Sequence, residues 1–259
     1  MKLIKEQDRF IVKDFKRLNK YSYQSYTRDD DHGPRTYKVN DLNLPSVTNI
    51  LQFTQSKDKQ RGLDKWRERV GILEAYEIAR AAAKRGTEMH KVLEKYLNGE
   101  GYLNLSDEGG IARVMAHEII HNLGALKVIY GTEISLTGKN RWAGSTDVIG
   151  EYDYKPTIID FKQSNKPKKE EWIDDYYYQI AAYSLAHKEH YGPIEQGLIA
   201  ICTVAGLYQE FKMDAAKLDE YENKWLERLE QYEKQREERK AKEDEKFEMV
   251  RKAYTKDES

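Results

Sequence analysis

The feature that most constrains the fold of this chain is a run of three strand-like segments between residues 126 and 164. They read "LKVIYGTEISL", "WAGSTDVIGEY" and "PTIIDFKQS", and turn signals separate them. The connection "DYKP" between the second and third segments suits a hairpin turn. These segments therefore predict adjacent strands of one sheet in the middle of the chain.

Helical patterns precede these strands. "LPSVTNILQF" predicts a helix that follows Pro45 and is capped by Ser46 or Thr48. The segment from 62 to 97 is helical in composition, and its glycines predict one break near residue 71 and another near residue 86. In that interpretation, Thr87 caps the helix that carries His90. A further helix is expected to begin after Gly110.

A second set of elements follows the strands. "KKEEWIDDYYYQIAAYSLAHKEHYG" predicts a helix that ends at Gly192 and Pro193, and "IEQGLIAICTV" and "LYQEFKM" predict two more strands. The order is therefore helices, three strands, one helix and two strands. This order predicts an α/β fold in which helices flank a central mixed β-sheet.

The chain divides into three predicted parts: a polar N-terminal extension (1–43), a core with a helical insertion (44–213) and a long charged C-terminal helix (214–259). In the extension, "DRFIV" and "RTYKV" are candidate short strands. The C-terminal helix carries an apolar stripe at spacings of three and four residues, formed by Leu218, Tyr221, Trp225, Leu229 and Tyr232. Beyond that stripe, a solvated or frayed helix is expected, because apolar heptad positions for a coiled coil are missing.

Composition excludes several classes of protein. Lysine and arginine total 44 against 45 acids, so an anionic partner must be held by local patches rather than by net charge. The single cysteine, Cys202, excludes a disulfide scaffold and a cysteine-based zinc site. The sequence shows neither a membrane span nor a leader peptide, and we therefore expect a soluble cytoplasmic protein.

Two opposite charges lie in the middle of the third strand-like segment. Side chains alternate faces along a strand, so Asp160 and Lys162 share one face. If the hairpin turn centres on Tyr154 and Lys155, Asp147 lies opposite Lys162 and diagonal to Asp160. Glu133, on the preceding strand, is expected beside them. Three carboxylates and a lysine would then converge from adjacent strands.

Carboxylates gathered at one point repel one another unless a cation is bound. Oxygen ligands suit Mg²⁺ or Mn²⁺, which activates a water and stabilises charge on a phosphate. The lysine could orient that water, act as a base if its pKa is depressed, or neutralise charge in the transition state. A plain Asp–Lys ion pair at a strand end is the alternative.

Four short motifs occur in order along the chain. They are "GTEMH" on a helix, "GSTDVIGEY" and "IIDFKQS" on successive strands, and "QIAAY" on the following helix. Together they resemble the RecB-type branch of the PD-(D/E)XK nucleases, in particular exonucleases related to the mitochondrial genome maintenance exonuclease and phage-encoded relatives. "LPSVTNIL" also resembles that group. The resemblance covers roughly residues 44–204 and implies a restriction-endonuclease-like core. The first 40 residues and the long C-terminal helix lie outside it, and the predicted fold is this core with a helical N-terminal part and the long C-terminal helix.

The resemblance also implies roles for matching positions. His90 would be a metal ligand, Asp147 the central metal ligand, and Asp160 the acidic residue of (D/E)-x-K, where many relatives carry glutamate. Glu133 fits an acidic residue that some members place on the strand before the metal aspartate. The implied cofactor is Mg²⁺ or Mn²⁺.

The same resemblance assigns the remaining catalytic positions. Lys162 matches the catalytic lysine, and Gln179 and Tyr183 match a Q-x-x-x-Y helix that orders the site and approaches DNA. Taken singly, the glutamine and the tyrosine could be an ordinary helical pair. The joint presence of all the motifs favours the catalytic interpretation.

A rival motif, "HEIIH", occupies residues 117–121. On a helix, H-E-x-x-H places His117 and His121 on one side for zinc, with Glu118 as a base. The extended form of the motif needs a third histidine where this chain has Lys127. We therefore expect the two histidines to line a polar or half-buried helix face, and we regard a zinc peptidase as the weaker interpretation.

Basic runs with interleaved aromatic residues predict contacts with single-stranded nucleic acid, in which bases stack on rings and phosphates pair with cations. A solvated helix face with core aromatics is the alternative for each run. The candidate contacts are Arg85, Lys166, Lys168, Lys169, Trp172 and Tyr176.

The function predicted from the sequence is a metal-dependent DNA exonuclease that acts on single strands or DNA ends. Its location would be the host cytoplasm if the chain is phage-encoded. A structure-specific endonuclease or junction resolvase on the same fold is the first alternative. A non-catalytic nucleic-acid-binding module that keeps the nuclease fold is the second.

Overall fold

The computed structural model describes residues 15–31, 33–100 and 106–256. Its helices are α1 (Val47–Phe53), α2 (Lys57–Val70), α3 (Ile72–Leu97), α4 (Asp107–Asn122), α5 (Asp174–His190) and α6 (Ala215–Lys256). Its strands are β1 (Lys16–Arg17), β2 (Thr27–Asp29), β3 (Thr36–Val39), β4 (Leu42–Pro45), β5 (Leu126–Gly138), β6 (Trp142–Tyr152), β7 (Lys155–Ser164), β8 (Gln196–Thr203) and β9 (Tyr208–Met213).

Six strands form the central sheet in the order β1-β5-β6-β7-β8-β9. The pairs β1–β5 and β7–β8 are parallel, and the other neighbours are antiparallel. Helix α5 connects the two parallel strands β7 and β8, which is the crossover that a parallel pair requires. The predicted α/β class with a central mixed sheet and a long C-terminal helix is confirmed.

Helices cover both faces of this sheet. Ile149, Ile158 and Ile199 pack on one face with α1, α5 and α6, and Val148 and Ile159 pack on the other face with α3 and α4. Consecutive residues of β6 and β7 thus point to opposite cores, as the two-residue repeat of a strand requires. Because both faces are buried, these strands read as nearly continuous apolar runs in the sequence.

The hairpin between β6 and β7 corrects one expectation. Tyr152 pairs with Lys155, so the turn consists of Asp153 and Tyr154, whose φ angles of 50° and 64° are those of a type I′ turn. The predicted turn, one residue later, was wrong. It would have placed Pro156 at the closing pair of the hairpin, where a backbone N–H is needed and proline has none.

Helix α3 corrects a second expectation. It runs unbroken from Ile72 to Leu97, so Gly86 does not end a helix and Thr87 does not cap one. A Cβ atom at Gly86 would lie 3.3 Å from Cγ of Gln163 on β7, so this glycine allows the helix to approach the sheet closely. The break at Gly71 occurs as predicted, with φ at 90° between α2 and α3.

Two further helix starts differ in detail from the sequence interpretation. Helix α4 begins at Asp107, three residues before Gly110, because Ser106 Oγ caps it by accepting a hydrogen bond from the Gly109 N–H at 3.1 Å. Helix α1 is capped by Ser46, whose Oγ accepts from the Asn49 N–H at 3.2 Å.

The N-terminal segment adds strands to the core. "RTYKV" contains β3, which pairs with β2 and β4 in a small three-stranded sheet. Tyr37, Val39 and Leu44 of that sheet pack on Ala143 of β6. "DRFIV" lies outside the described residues. Strand β4 spans the predicted boundary after residue 43, and the three-part division of the chain stays a prediction.

Helix α6 has two distinct halves. In the first half, four residues of the apolar stripe are buried, and Trp225 packs edge-on against Trp142 with ring centroids 5.7 Å apart. In the second half, every described side chain from Arg236 to Met249 is exposed, as expected for a solvated helix. Among the described residues, none of the helices combines the length and the apolar character needed to cross a bilayer.

Candidate active site

A cleft of about 440 Å³, which we call the central cleft, opens beside the middle strands of the main sheet. Helices α3 and α5 and the small three-stranded sheet complete its walls. The structure brings together in this cleft all the predicted metal and catalytic residues, namely His90, Glu133, Asp147, Asp160, Lys162, Gln179 and Tyr183.

Asp147 occupies the point where β6 and β7 separate. The pairing of the two strands ends at Val148 and Ile159, so Asp147 lies opposite Asp160. The register assumed from the sequence had placed it opposite Lys162. Opposite residues share a face, so the predicted convergence of the two aspartates persists despite the register error. Asp147 Oδ2 accepts a hydrogen bond from the Phe161 N–H at 2.6 Å, in place of the next rung of the ladder.

His90 reaches Asp147 from helix α3. Its neighbours Met89 and Leu93 are fully buried against the sheet, which holds this face of the helix over the diverging strands. His90 Nδ1 lies 3.0 Å from Asp147 Oδ1. Burial lowers the pKa of His90, but the charge of Asp147 and this hydrogen bond outweigh burial, so the pKa is raised. Burial raises the pKa of Asp147, but His90 and Lys162 outweigh it, so that pKa is lowered.

Glu133 approaches from β5 through an unusual backbone conformation. Its φ of 51° lies in the left-handed region, which non-glycine residues rarely adopt. The neighbouring pairs Thr132–Val148 and Ile134–Thr146 place it opposite Asp147. Desolvation of its carboxyl beside the cleft walls, together with the negative charge of Asp147, raises the pKa of Glu133 to about 7. A strained residue with a perturbed pKa in a cleft is typical of a functional site.

The three side chains together fit a divalent metal ion. One ligand atom from each of His90, Glu133 and Asp147 lies within 4.8 Å of the others. Within the described residues, this is the one group of three or more candidate ligands that meets this spacing. Two carboxylates and one imidazole suit Mn²⁺ well, and carboxylates also suit Mg²⁺.

Asp160 and Lys162 form an ion pair beside that group. Asp160 is 2% exposed, so its charge depends on the lysine for compensation. Burial and the charge of Asp147 raise the pKa of Asp160, against the effect of Lys162. Burial lowers the pKa of Lys162, but the two aspartates outweigh burial, so its pKa is raised. This environment favours a protonated lysine, not the depressed pKa that a lysine base requires.

Gln179 and Tyr183 lie one turn apart on α5 and face the cleft. Gln179 Nε2 donates a hydrogen bond to the Tyr183 hydroxyl at 3.1 Å. A Cβ atom at Gly144 would lie 2.5 Å from Cε1 of Tyr183, so the glycine of the "GSTD" motif makes room for this ring. The two motifs "GSTDVIGEY" and "QIAAY" are therefore in direct contact.

The predicted nucleic-acid contacts fall into different environments. Arg85 is 8% exposed, and its guanidinium donates to the side chains of Gln163 and Asn165, which orders the loop after β7. Lys162 Nζ lies 5.2 Å from the ring centre of Tyr176, which places that ring next to the central cleft.

The loop after β7 carries the remaining predicted contacts. Lys166 and Lys169 are exposed there and Lys168 is half-buried, while Trp172 is 55% exposed in the short turn that precedes α5. Lys169 Nζ lies 5.3 Å from the ring centre of Trp172. These side chains form a basic and aromatic surface, and their role in nucleic-acid binding stays a prediction.

Residues of the small sheet also line the central cleft, and the sequence interpretation did not assign them. Arg28 and Arg35 both pair with Asp30, and Tyr37 is buried beside them. These residues precede the region of resemblance, and no motif marked them. Alternation along "RTYKV" indicated a strand, but not the face of the core on which that strand would pack.

The "HEIIH" helix lies apart from the candidate metal group. Helix α4 packs its apolar residues Met115 and Ile119 on the sheet, while His117 is half-buried and His121 is exposed. Neither histidine belongs to the group of three candidate ligands found among the described residues. This placement agrees with the expected half-buried helix face.

The central hairpin of the mixed sheet opens around Asp147 and the Asp-x-Lys pair. One helix adds a histidine and another adds the Gln-x-x-x-Tyr pair. The resemblance to RecB-type PD-(D/E)XK nucleases implies this arrangement. The chain is 30% identical over 203 residues to human mitochondrial genome maintenance exonuclease 1 and 30% identical over 218 residues to the mouse protein. The chain is thus similar in sequence to mitochondrial genome maintenance exonuclease 1 over most of its own length.

The extent of the matches is partial. They cover 73% of this chain and 58% of the human protein, and 79% of this chain and 63% of the mouse protein. No protein-family model matches the chain. The solved structure of SSO0001 aligns with a TM-score of 0.37 at 16% identity, over 73% of this chain and 78% of that chain. The solved structure of a protein from Eubacterium rectale aligns with a TM-score of 0.40 at 13% identity, over 57% of this chain and 64% of that chain. TM-scores this low do not establish a common fold.

Proposed function

We propose that this protein is a divalent-metal-dependent DNA exonuclease that hydrolyses phosphodiester bonds in single strands or at DNA ends. The observation that carries the proposal is the cluster of His90, Glu133 and Asp147 ligand atoms within 4.8 Å, next to the Asp160–Lys162 pair. The names of the homologous proteins support the exonuclease class.

In this proposal, His90, Glu133, Asp147 and Asp160 hold Mg²⁺ or Mn²⁺. The bound ion would activate a water and stabilise charge on the scissile phosphate. Asp147 is fixed for this task by the Phe161 N–H, so its carboxylate does not need to reorganise.

The other residues of the cleft have complementary roles. The two neighbouring aspartates raise the pKa of Lys162, and in this proposal its ammonium group offers a positive charge to the phosphate. Gln179 and Tyr183 hold the floor of the cleft in one conformation through their mutual hydrogen bond. Arg28 and Arg35 add cationic groups on the opposite wall, where a phosphodiester backbone would enter.

The test uses an end-labelled oligonucleotide, single- or double-stranded, with either end blocked, in the presence of Mg²⁺ or Mn²⁺. We expect shortening from a free end that stops on chelation and is abolished by Lys162→Ala, while DNA binding by that variant persists. Cleavage by Lys162→Ala at the wild-type rate would reject the assignment. Internal products of defined length would instead support an endonuclease, and binding without metal-dependent degradation would support a non-catalytic module.

A further inference from the structure

A second cleft, of about 680 Å³, lies between α1 and the second half of α6, and we call it the α1–α6 cleft. Its aromatic wall consists of Phe53 and Tyr232, and its basic wall consists of Arg236, Arg239 and Lys240. None of these residues belongs to the catalytic cluster, and α6 lies outside the motifs of the nuclease core.

The walls of this cleft are fixed to each other. The rings of Phe53 and Tyr232 pack edge-on with centroids 5.2 Å apart. Arg228 Nη2 donates a hydrogen bond to the Leu51 carbonyl at 3.3 Å, and Arg228 Nε donates to the Thr54 hydroxyl. Helix α6 is thereby held against the C-terminal end of α1, so the cleft is a preformed surface.

Positively and negatively charged side chains predominate on different sides of this half of α6. The residues of the helix that line the cleft carry three cations and one acid, Glu243. Between residues 233 and 246, the positions outside the cleft carry five acids and three cations: Glu233, Glu237, Glu238, Asp244 and Glu245 against Lys234, Lys242 and Lys246. A segment that is close to neutral in sequence therefore presents its positive side to the cleft.

Two of the three cations of the cleft form no ion pair with another described residue. Arg239 pairs with Glu243 at 3.0 Å, but Arg236 and Lys240 form no ion pair within the described residues. Elsewhere on α6, Lys217 pairs with Glu170, and Glu233 is engaged by Arg141. Arg236 and Lys240 are thus available to an external anion, and Arg239 adds a third cation that shares its charge with Glu243.

The α1–α6 cleft is adjacent to the central cleft. Pro34 lines the α1–α6 cleft, and its neighbour Arg35 lines the central cleft. Helix α1 connects the two clefts in the same way: Ser46 at its start lines the central cleft, and Phe53 at its end lines the α1–α6 cleft. Helix α1 has seven residues and is therefore about 10 Å long. That length corresponds to about three nucleotides of a stacked strand.

We propose that the α1–α6 cleft binds a segment of single-stranded nucleic acid that extends from the central cleft, with phosphates on Arg236, Arg239 and Lys240 and a base against Phe53 and Tyr232. Paired aromatic and basic walls are the features that bind single strands without sequence preference. An acidic peptide would use the cations but not the rings. This inference rests on the proposed function, because it names a path for the substrate of the same site.

The test compares two triple variants of the full chain. The cleft variant is Arg236→Ala, Arg239→Ala and Lys240→Ala, and the control variant is Lys234→Ala, Lys242→Ala and Lys246→Ala. Both remove three positive charges from the same helix, and alanine preserves helix propensity. Binding is measured with chelator present, by fluorescence anisotropy of an oligodeoxythymidine of about 20 nucleotides, longer than the roughly 4–16 nucleotides of one binding module.

We expect the cleft variant to bind about tenfold more weakly and its plot of log affinity against log salt to be shallower by about 2, because three phosphate contacts are lost. The control variant should stay within about twofold of wild type. A strand carrying 5-iododeoxyuridine should crosslink on irradiation to the peptide that contains Tyr232. Equal losses in both variants, wild-type affinity in the cleft variant, or stronger competition by poly-glutamate than by the same length of DNA would each overturn the inference.

Cleavage assays separate this inference from the proposed function. If wild type degrades the strand and the cleft variant binds normally, the inference is wrong and the nuclease assignment survives. If wild type shows no metal-dependent cleavage and the cleft variant alone loses affinity, the α1–α6 cleft binds nucleic acid and the nuclease assignment is wrong.

Discussion

Asp147 accepts a hydrogen bond from the backbone N–H of Phe161 at the point where β6 and β7 cease to pair. This bond satisfies a backbone donor that the diverging strands would otherwise leave without a partner. It also fixes the carboxylate that His90 contacts from the other side. The opening of the hairpin and the placement of the candidate metal group therefore have one structural cause.

Replacement of Asp147 by asparagine should weaken Mn²⁺ binding at least tenfold. The amide keeps the size of the side chain but removes the negative charge that attracts a divalent cation. Isothermal titration with Mn²⁺ measures the change. Asp153→Asn is the matched control, because this aspartate is exposed in the hairpin turn and pairs with Lys212. Equal affinity in Asp147→Asn and wild type would contradict the proposed ligand set.

Removal of one partner of the Asp160–Lys162 pair should cost more stability than removal of both. Lys162→Met leaves Asp160 buried without its counter-ion, and the loss of a buried partner costs about 3–5 kcal/mol. Asp160→Asn combined with Lys162→Met should restore part of that stability. Urea denaturation of the two single variants and the double variant gives the coupling. Strict additivity would show that the two side chains do not stabilise each other.

Gly144→Ala should destabilise the protein by about 1–3 kcal/mol through overpacking against Tyr183. The cost should fall in a Tyr183→Leu background, because the ring edge that meets the new methyl group is gone. Thermal unfolding measures both effects. Gly110→Ala is the control, since it lies in helix α4 with no heavy atom within 4 Å of its added Cβ, and it should be neutral or stabilising. A cost at Gly144 that is unchanged without the tyrosine ring would disprove the contact.

His187 should make the protein less stable in mild acid. Its side chain is fully buried, with Nδ1 donating a hydrogen bond to the Gly192 carbonyl at 2.7 Å and Nε2 accepting one from the Tyr23 hydroxyl at 3.1 Å. Burial and the nearby Lys20 lower its pKa, against the effect of the Gly192 carbonyl.

The sign of the effect follows from the pKa of His187 in the two states. The unfolded chain binds a proton at about pH 6.5 and the folded protein only at lower pH, so stability falls as pH drops below about 6.5. His187→Gln should remove this part of the pH dependence. Urea midpoints at pH 7.5, 6.5 and 5.5 test it, and parallel curves for both proteins would contradict it.

The sequence was sufficient where local patterns carry the information. Alternation and turn residues located β5 to β9, and spacings of three and four residues located α6 and its buried stripe. The order of "GTEMH", "GSTDVIGEY", "IIDFKQS" and "QIAAY" was sufficient to predict which side chains would meet. The predicted convergence held although the hairpin register was wrong. A turn misplaced by one residue changes every cross-strand pairing by two positions, so Asp147 and Asp160 stay on the same face of the sheet.

The sequence by itself determined strands β5 to β9, helices α5 and α6 and most of the chemical groups of the candidate site, because helix and strand periodicity and motif order are properties of neighbouring residues. Only the tertiary structure decided the continuity of α3 through Gly86, the entry of Arg28 and Arg35 into the central cleft, and the sorting of charge along the α1–α6 cleft. The reason is physical: each of these depends on which surface lies opposite a residue, and that surface comes from a distant part of the chain.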